Sequence, residues 1–224
     1  MSPDFDVAVV GYGPTGLVLS SLLGRAGHRV VVFERWPDLY GLPRLSHIDG
    51  ETARIVQAAG DIQCALRDAP PKQVYEWRGC DGELLLEVDW SGQSSGFEAR
   101  YSMYQPDIAS AIDQRVRSYP NVEVNQGVGV VAVEQEPGQV ALEVRPSKRD
   151  RDEQWSSRAE DRTVNARYVV GADGANSFVR TAMGATVTDL GFFFDWLIVD
   201  VRPHEPVVWR PLNIQICDPA RPTT

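Results

Sequence analysis

The chain has 224 residues, 43% of them hydrophobic, with a formal net charge of −9. That apolar content can bury a core in one large domain or two small ones, which excludes a disordered tail. An acidic chain projects no positive field toward phosphate backbones, so nucleic acid and membrane are not expected partners and a small molecule is. Cys64, Cys80 and Cys217 are widely spaced and form no Cys-x-x-Cys pair. They read as reduced thiols of a cytoplasmic protein, not as a disulfide framework, and no metal site is expected. The N-terminus lacks a basic n-region, so no signal peptide is expected, and no apolar run approaches the roughly 18 residues that would span a bilayer.

In chain order, Phe5 to Val10 is a short β-branched run, and Thr15 to Ala26 carries Leu17, Leu19, Leu22 and Leu23 beside small residues. These predict a strand, a glycine turn and a helix. A second apolar run from Arg29 to Phe33, ending at Glu34, completes a β-α-β unit whose parallel strands are expected to be buried on both faces. Asp49 is placed to cap a helix over Thr52 to Ala59, with Gly60 ending it. Gln73 to Trp90 reads as a hairpin around Cys80-Asp81-Gly82. Its residues Leu84, Leu86, Val88 and Trp90 share one face, with the other face wet. Pro106 can begin a helix that must end before Pro120. Two β runs, Val122 to Val133 and Gln139 to Val144, follow around the turn Glu136-Pro137-Gly138. Lys148 to Arg162 reads as a solvated loop. Tyr168 to Gly171 is expected to be another buried strand, and Phe192 to Val201 and Val207 to Ile216 antiparallel strands.

Gly11-Tyr12-Gly13-Pro14-Thr15-Gly16 follows a predicted strand and opens a predicted helix, the context that raises Gly-x-Gly-x-x-Gly above chance. Gly11 permits the tight turn, Gly13 lets the backbone approach a pyrophosphate, and Gly16 lets helix and strand pack, with the helix N-terminus facing the anion. The whole turn, Pro14 and Thr15 included, is a candidate cofactor-binding element. Glu34 ends the second strand near the ~20-residue offset at which a carboxylate receives an adenosine ribose. NAD and FAD fit equally well to this point, because both present adenosine diphosphate. A second motif, Gly171-Ala-Asp173-Gly174-Ala-Asn-Ser177-Phe-Val-Arg180, again follows a strand and turns through glycine toward a helix.

With its glycine turn, Glu34-Arg35 and this Asp-Gly motif in that order, the chain resembles the FAD-dependent aromatic hydroxylases. That family includes phenol hydroxylases, p-hydroxybenzoate hydroxylase and 3-(3-hydroxyphenyl)propionate hydroxylase. The resemblance implies an α/β fold: a Rossmann-like FAD-binding domain over residues 1–72 and 97–184, with residues 73–96 and 185–224 forming part of an antiparallel substrate-binding sheet. It implies FAD as cofactor, NAD(P)H as co-substrate and a phenolic small molecule as substrate. NAD(P)H would reduce FAD, oxygen would add at flavin C4a, and the hydroperoxide would transfer hydroxyl to the ring. Glu34 and Arg35 are then expected at the adenosine end, Asp173 and Gly174 at the ribose and pyrophosphate, and Arg44 and Gln105 along the cofactor. Arg180 closes the Asp-Gly motif. His47 and Trp196 receive no role, and no residue declares itself as a catalytic base. A flavin halogenase is disfavoured by the absence of Trp-x-Trp-x-x-Ile-Pro. The family's later FAD segment, resembling Gly-Asp-Ala-Ala-His, does not occur before Thr224. The expectation is therefore a truncated fold, with a C-terminal segment missing or a second copy covering its edge. The rival readings are a non-catalytic nucleotide-binding remnant and another flavin oxidoreductase on this scaffold.

Overall fold

The computed structural model describes residues 3–147, 162–191, 197–208 and 211–221. The first unit is β1 (Phe5–Val10), α1 (Pro14–Arg25) and β2 (Val30–Glu34). A short strand β3 (His47–Asp49) leads into α2 (Gly50–Ala59) and α3 (Ile62–Ala65). The hairpin is β4 (Val74–Gly79) and β5 (Leu84–Asp89), followed by the short strands β6 (Gln93–Ser94), β7 (Phe97–Glu98) and β8 (Arg100–Ser102). Then come α4 (Gln105–Arg117), β9 (Val122–Gln126), β10 (Val128–Glu136), β11 (Gln139–Pro146), β12 (Arg162–Gly171), α5 (Phe178–Ala182) and β13 (Ile214–Cys217).

The expected β-α-β unit forms at the centre of a six-stranded sheet of order β10-β11-β12-β1-β2-β9. β1 runs parallel to both β2 and β12, and β2 parallel to β9. Side chains alternate across the pleat. Val7, Val9, Val30 and Val32 pack with Leu17, Val56, Ile112 and Val116 of the helical layer. Ala8, Val10, Val31 and Phe33 pack on the other face with Leu142, Val144, Val164 and Val179. Burying such side chains contributes about 1.5–3 kcal/mol each, so the β1–β2 core anchors the fold and the loops at its C-terminal edge. Asp49 caps α2 by accepting the Thr52 N–H at 2.8 Å, and Gly60 follows the helix end, as expected.

Several boundaries differ from the expectations. Val122 to Val133 is two strands, because Gly127 (φ +70°) turns the chain between them. β9 closes one edge of the sheet beside β2, whereas β10 lies at the opposite edge beside β11. The Gly127 N–H donates to the Trp36 carbonyl at 3.0 Å, which ties the start of β10 to the segment after β2. β12 starts at Arg162, because residues 162–166 pair antiparallel with β11. Beyond Ala166 that partner ends and only β1 remains, so Tyr168 is 58% exposed and not buried. The Lys148-to-Arg162 loop lies outside the described residues except for Arg162 itself.

β4 and β5 pair antiparallel in a separate three-stranded sheet, where β13 joins parallel to β4. That sheet is therefore mixed, not purely antiparallel. Neither face of β5 is wholly dry: Leu84 and Leu86 are 47% and 46% exposed. Among the described residues of Val207 to Ile216, strand covers Ile214 to Ile216, within β13, and residues 197–201 form none; residues 192–196, Trp196 among them, and residues 209–210 lie outside the described residues.

Candidate cofactor site

The site grows from the C-terminal edge of β1. Gly11 takes φ +99°, and its N–H donates to the Phe33 carbonyl at 2.8 Å. A Cβ on Gly11 would overlap the Ala172 carbonyl, and one on Gly16 would overlap the Gly11 carbonyl oxygen. Gly11 thus makes the tight turn at positive φ, and Gly16 lets the helix pack closely against it. Gly13 differs: a Cβ there meets nothing within 4 Å. It is the N-cap of α1, with no side-chain cap and no acidic residue in the first turn. The first N–H groups of α1 thus lack a side-chain acceptor and carry the positive end of the helix dipole, which fits a pyrophosphate.

Glu34 stands opposite this turn. Its Oε2 accepts the Tyr12 N–H at 2.7 Å and its Oε1 the Trp36 N–H at 2.9 Å. Two backbone donors fix the carboxylate plane and leave acceptor capacity for a ribose diol. Arg35 follows, its guanidinium 5.5 Å from the Trp36 ring centre.

Gln105 begins α4 and is buried. Its Oε1 accepts the N–H of Arg44 at 2.9 Å and of Leu45 at 3.2 Å, so the helix start holds the loop that carries Arg44. The Arg44 guanidinium lies 4.2 Å from the Tyr40 ring centre, a cation–π contact.

Asp173 reaches the same cleft, but its carboxylate is engaged at the start of α5. It accepts the Ser177 hydroxyl, the Phe178 N–H at 2.7 Å and the Val179 N–H at 3.2 Å. Gly174 turns beside it with φ +86°. Arg180 donates to the Ala175 carbonyl at 2.8 Å, closing the motif on itself.

One cleft of about 510 Å³ collects these residues. It is lined by Gly11, Gly13, Pro14, Thr15, Glu34, Arg35, Arg44, Gln105, Asp173 and Gly174; Gly16 stands behind, as helix packing. Its size suits an organic cofactor. Sequence reasoning missed Trp36, Tyr40, Val128 to Val131, Arg145 to Ser147, Asn176 and Phe178, which complete the walls. The β10 and β11 residues carried no signal beyond strand character; only the break at Gly127 brings them here.

His47 lies beyond the cleft wall on β3, its ring stacked 6.1 Å from Trp90. Partial burial, reinforced by Lys72 and Arg100, holds its pKa below the ordinary value. Among the described residues, no three His, Cys, Asp or Glu side chains form a group suited to a metal, and no helix is long and apolar enough to cross a membrane.

A glycine turn, an acidic strand end and an Asp-Gly motif around one cleft fit an adenosine-containing flavin, and residues 4–217 match the model of the FAD-binding domain family. The chain belongs to the FAD-binding domain family. FAD is accordingly its cofactor. This FAD-binding chain is 40% identical over 218 residues to the probable NADH-specific resorcinol 4-hydroxylase of Rhodococcus jostii (strain RHA1), covering 97% of itself and 39% of the relative. It is 32% identical to the 3-(3-hydroxy-phenyl)propionate/3-hydroxycinnamic acid hydroxylase of Paraburkholderia xenovorans (strain LB400), again over 97% of itself but 33% of the relative. Among solved structures it resembles p-nitrophenol 4-monooxygenase from Pseudomonas putida DLL-E4, with TM-score 0.71 and 28% identity. That match covers 82% of this chain and 44% of that one. The FAD-binding chain thus spans 33–39% of the length of these curated relatives.

Proposed function

We propose that this chain is the cofactor-holding part of an FAD-dependent monooxygenase that hydroxylates a phenolic ring with NAD(P)H and O2. The observation that carries the reading is the convergence of the uncapped α1 N-terminus, the backbone-held Glu34 carboxylate and the Gln105–Arg44 contact in one cleft. Glu34 would receive the adenosine ribose, and the N–H groups after Gly13 the pyrophosphate. Arg35 would flank the adenosine, while Asp173 and Gly174 would shape the wall beside the pyrophosphate. Arg44 and Gln105 would border the rest of the cofactor. FAD, when bound, supplies the redox and oxygen chemistry. The chain's own residues bind it, orient it and limit water around it.

The names of the relatives support a phenolic substrate, and NADH stands in the name of the resorcinol relative. The division proposed is 1–72 with 97–184 for FAD, and 73–96 with 185–224 for part of the substrate sheet. It is supported by β4, β5 and β13 pairing, among the described residues, only with one another. The test supplies FAD, NADH, labelled O2 and either resorcinol or 3-(3-hydroxyphenyl)propionate. The 224-residue chain alone is expected to bind FAD and at most oxidise NADH. A chain extended to the relatives' length is expected to place label in a hydroxylated ring. Label recovered only in peroxide or water from the extended chain contradicts the monooxygenase reading.

A further inference from the structure

We propose that Tyr12 is a positioning residue for the Glu34 carboxylate, acting through a closed circuit of contacts that fixes the glycine turn against the adenosine end of the cleft. The inference rests on the reading that Glu34 receives the ribose. Tyr12 is the second residue of that turn, yet it is only 3% exposed and packs in the helical-side core. Its hydroxyl donates to Asp113 Oδ1 at 2.9 Å, across 101 residues of sequence. Asp113 lies on α4, where Arg117 Nε, one turn on, donates to both of its oxygens at 2.9 Å. Arg117 Nη2 then donates to Gln126 Oε1. Gln126 is the register partner of Glu34 in the β2–β9 ladder, and Glu34 accepts the Tyr12 N–H. The circuit therefore returns to its starting residue.

The physical consequence is preorganisation. A carboxylate gains most from a diol when its plane is already set, because ordering it on binding would cost affinity. Here one of the two donors that set the plane, the Tyr12 N–H, is fixed from the far side by its own side chain. Burial, with Asp113 beside it, pushes the Tyr12 hydroxyl above its ordinary pKa, so it remains a donor at working pH. The Gln126 orientation follows from charge, since Nε2 cannot face a guanidinium. That leaves Nε2 buried without a partner among the described residues, a cost accepted at the strand position next to Glu34.

The test is a flavin titration and a melting curve on the unaltered chain, Tyr12→Phe, Glu34→Gln and the double variant. Tyr12→Phe should weaken FAD binding about tenfold and leave FMN binding unchanged. The effect should vanish in the Glu34→Gln background, because the hydroxyl then has no ribose carboxylate to position. If Tyr12→Phe does not fold, Asp113→Ala removes the acceptor oxygens of the same circuit and carries the same expectation. Equal losses in both backgrounds, tracking the melting temperature, would show a merely structural tyrosine and overturn the proposal. Unchanged FAD affinity in Tyr12→Phe would also overturn it. Unchanged affinity in Glu34→Gln alone would instead remove the ribose reading on which it rests.

Discussion

Gln105 Oε1 lies 2.9 Å from the backbone nitrogen of Arg44, joining residues 61 apart in sequence. One side-chain oxygen at the start of α4 thus fixes a loop that forms part of the cofactor cleft. Gln105→Leu removes the acceptor for two N–H groups, and each lost hydrogen bond of this type costs about 0.5–1.5 kcal/mol. FAD affinity should fall about tenfold, as measured by quenching of flavin fluorescence. Gln105→Glu keeps the acceptor and should recover most of the loss. Equal affinity in Gln105→Leu and the unaltered chain would show that the loop needs no such tether.

Gly13 and Gly16 should separate binding from folding. A Cβ at Gly13 enters open space in the cleft, whereas at Gly16 it meets the Gly11 carbonyl oxygen. Gly13→Ala should melt within a few degrees of the unaltered chain and lose FAD affinity, because the methyl group occupies space the pyrophosphate needs. Gly16→Ala should lower the melting temperature first, by an overpacking cost of about 1–3 kcal/mol. The reverse pattern, a folding defect at Gly13 with intact binding at Gly16, would mean that the two glycines have been assigned each other's roles.

His47 provides a pH signature. Its pKa is depressed from 6.5, through partial burial first, then Lys72 and Arg100, with Asp49 acting the other way. The unfolded chain therefore takes up this proton at higher pH than the folded one. The associated stability is fully present above about pH 6.5 and is lost as pH falls through the folded-state value. The imidazole resonance that His47→Gln removes should titrate below the ordinary midpoint, and the variant should show a flatter stability profile between pH 7 and 5. A midpoint at or above 6.5 would contradict the arrangement of Lys72 and Arg100 around this ring.

Local chemistry made part of the fold legible. The β-α-β unit announces itself through Val7 to Val10, the glycines and Val30 to Phe33, because parallel strands buried on both faces must be apolar throughout. The Asp49 cap and the Pro106 helix start are likewise short-range signals. Gly127 was not legible as a boundary, because Val122 and Val124 before it and Val128 and Val130 after it keep one continuous alternation, and its positive φ is a property of the fold. The resemblance grouped the hairpin with the strands near the C-terminal end, but nothing local indicated that β13 would join β4 in parallel, from about 140 residues away. In the site, Glu34 was found because a carboxylate at a strand end has a characteristic offset from the glycines. Trp36, Tyr40 and Ser147 carry no such spacing and reach the cleft only through tertiary closure. The Asp-Gly motif brought Asp173 to notice and it lines the cleft, but no spacing rule indicates that its oxygens face the start of α5.

The central claim is that this cleft holds FAD by its adenosine diphosphate half, and parallel fluorescence titrations with FAD and FMN test it most directly. FMN has the same ring system and no adenosine, so it forgoes Glu34 and one phosphate of the pair. Hydrogen bonds to a charged group contribute about 1.5–3 kcal/mol, so FAD should bind at least roughly tenfold more tightly than FMN, and Glu34→Ala should remove most of that difference. Equal affinities for FAD and FMN, or an unchanged preference in Glu34→Ala, would contradict the account.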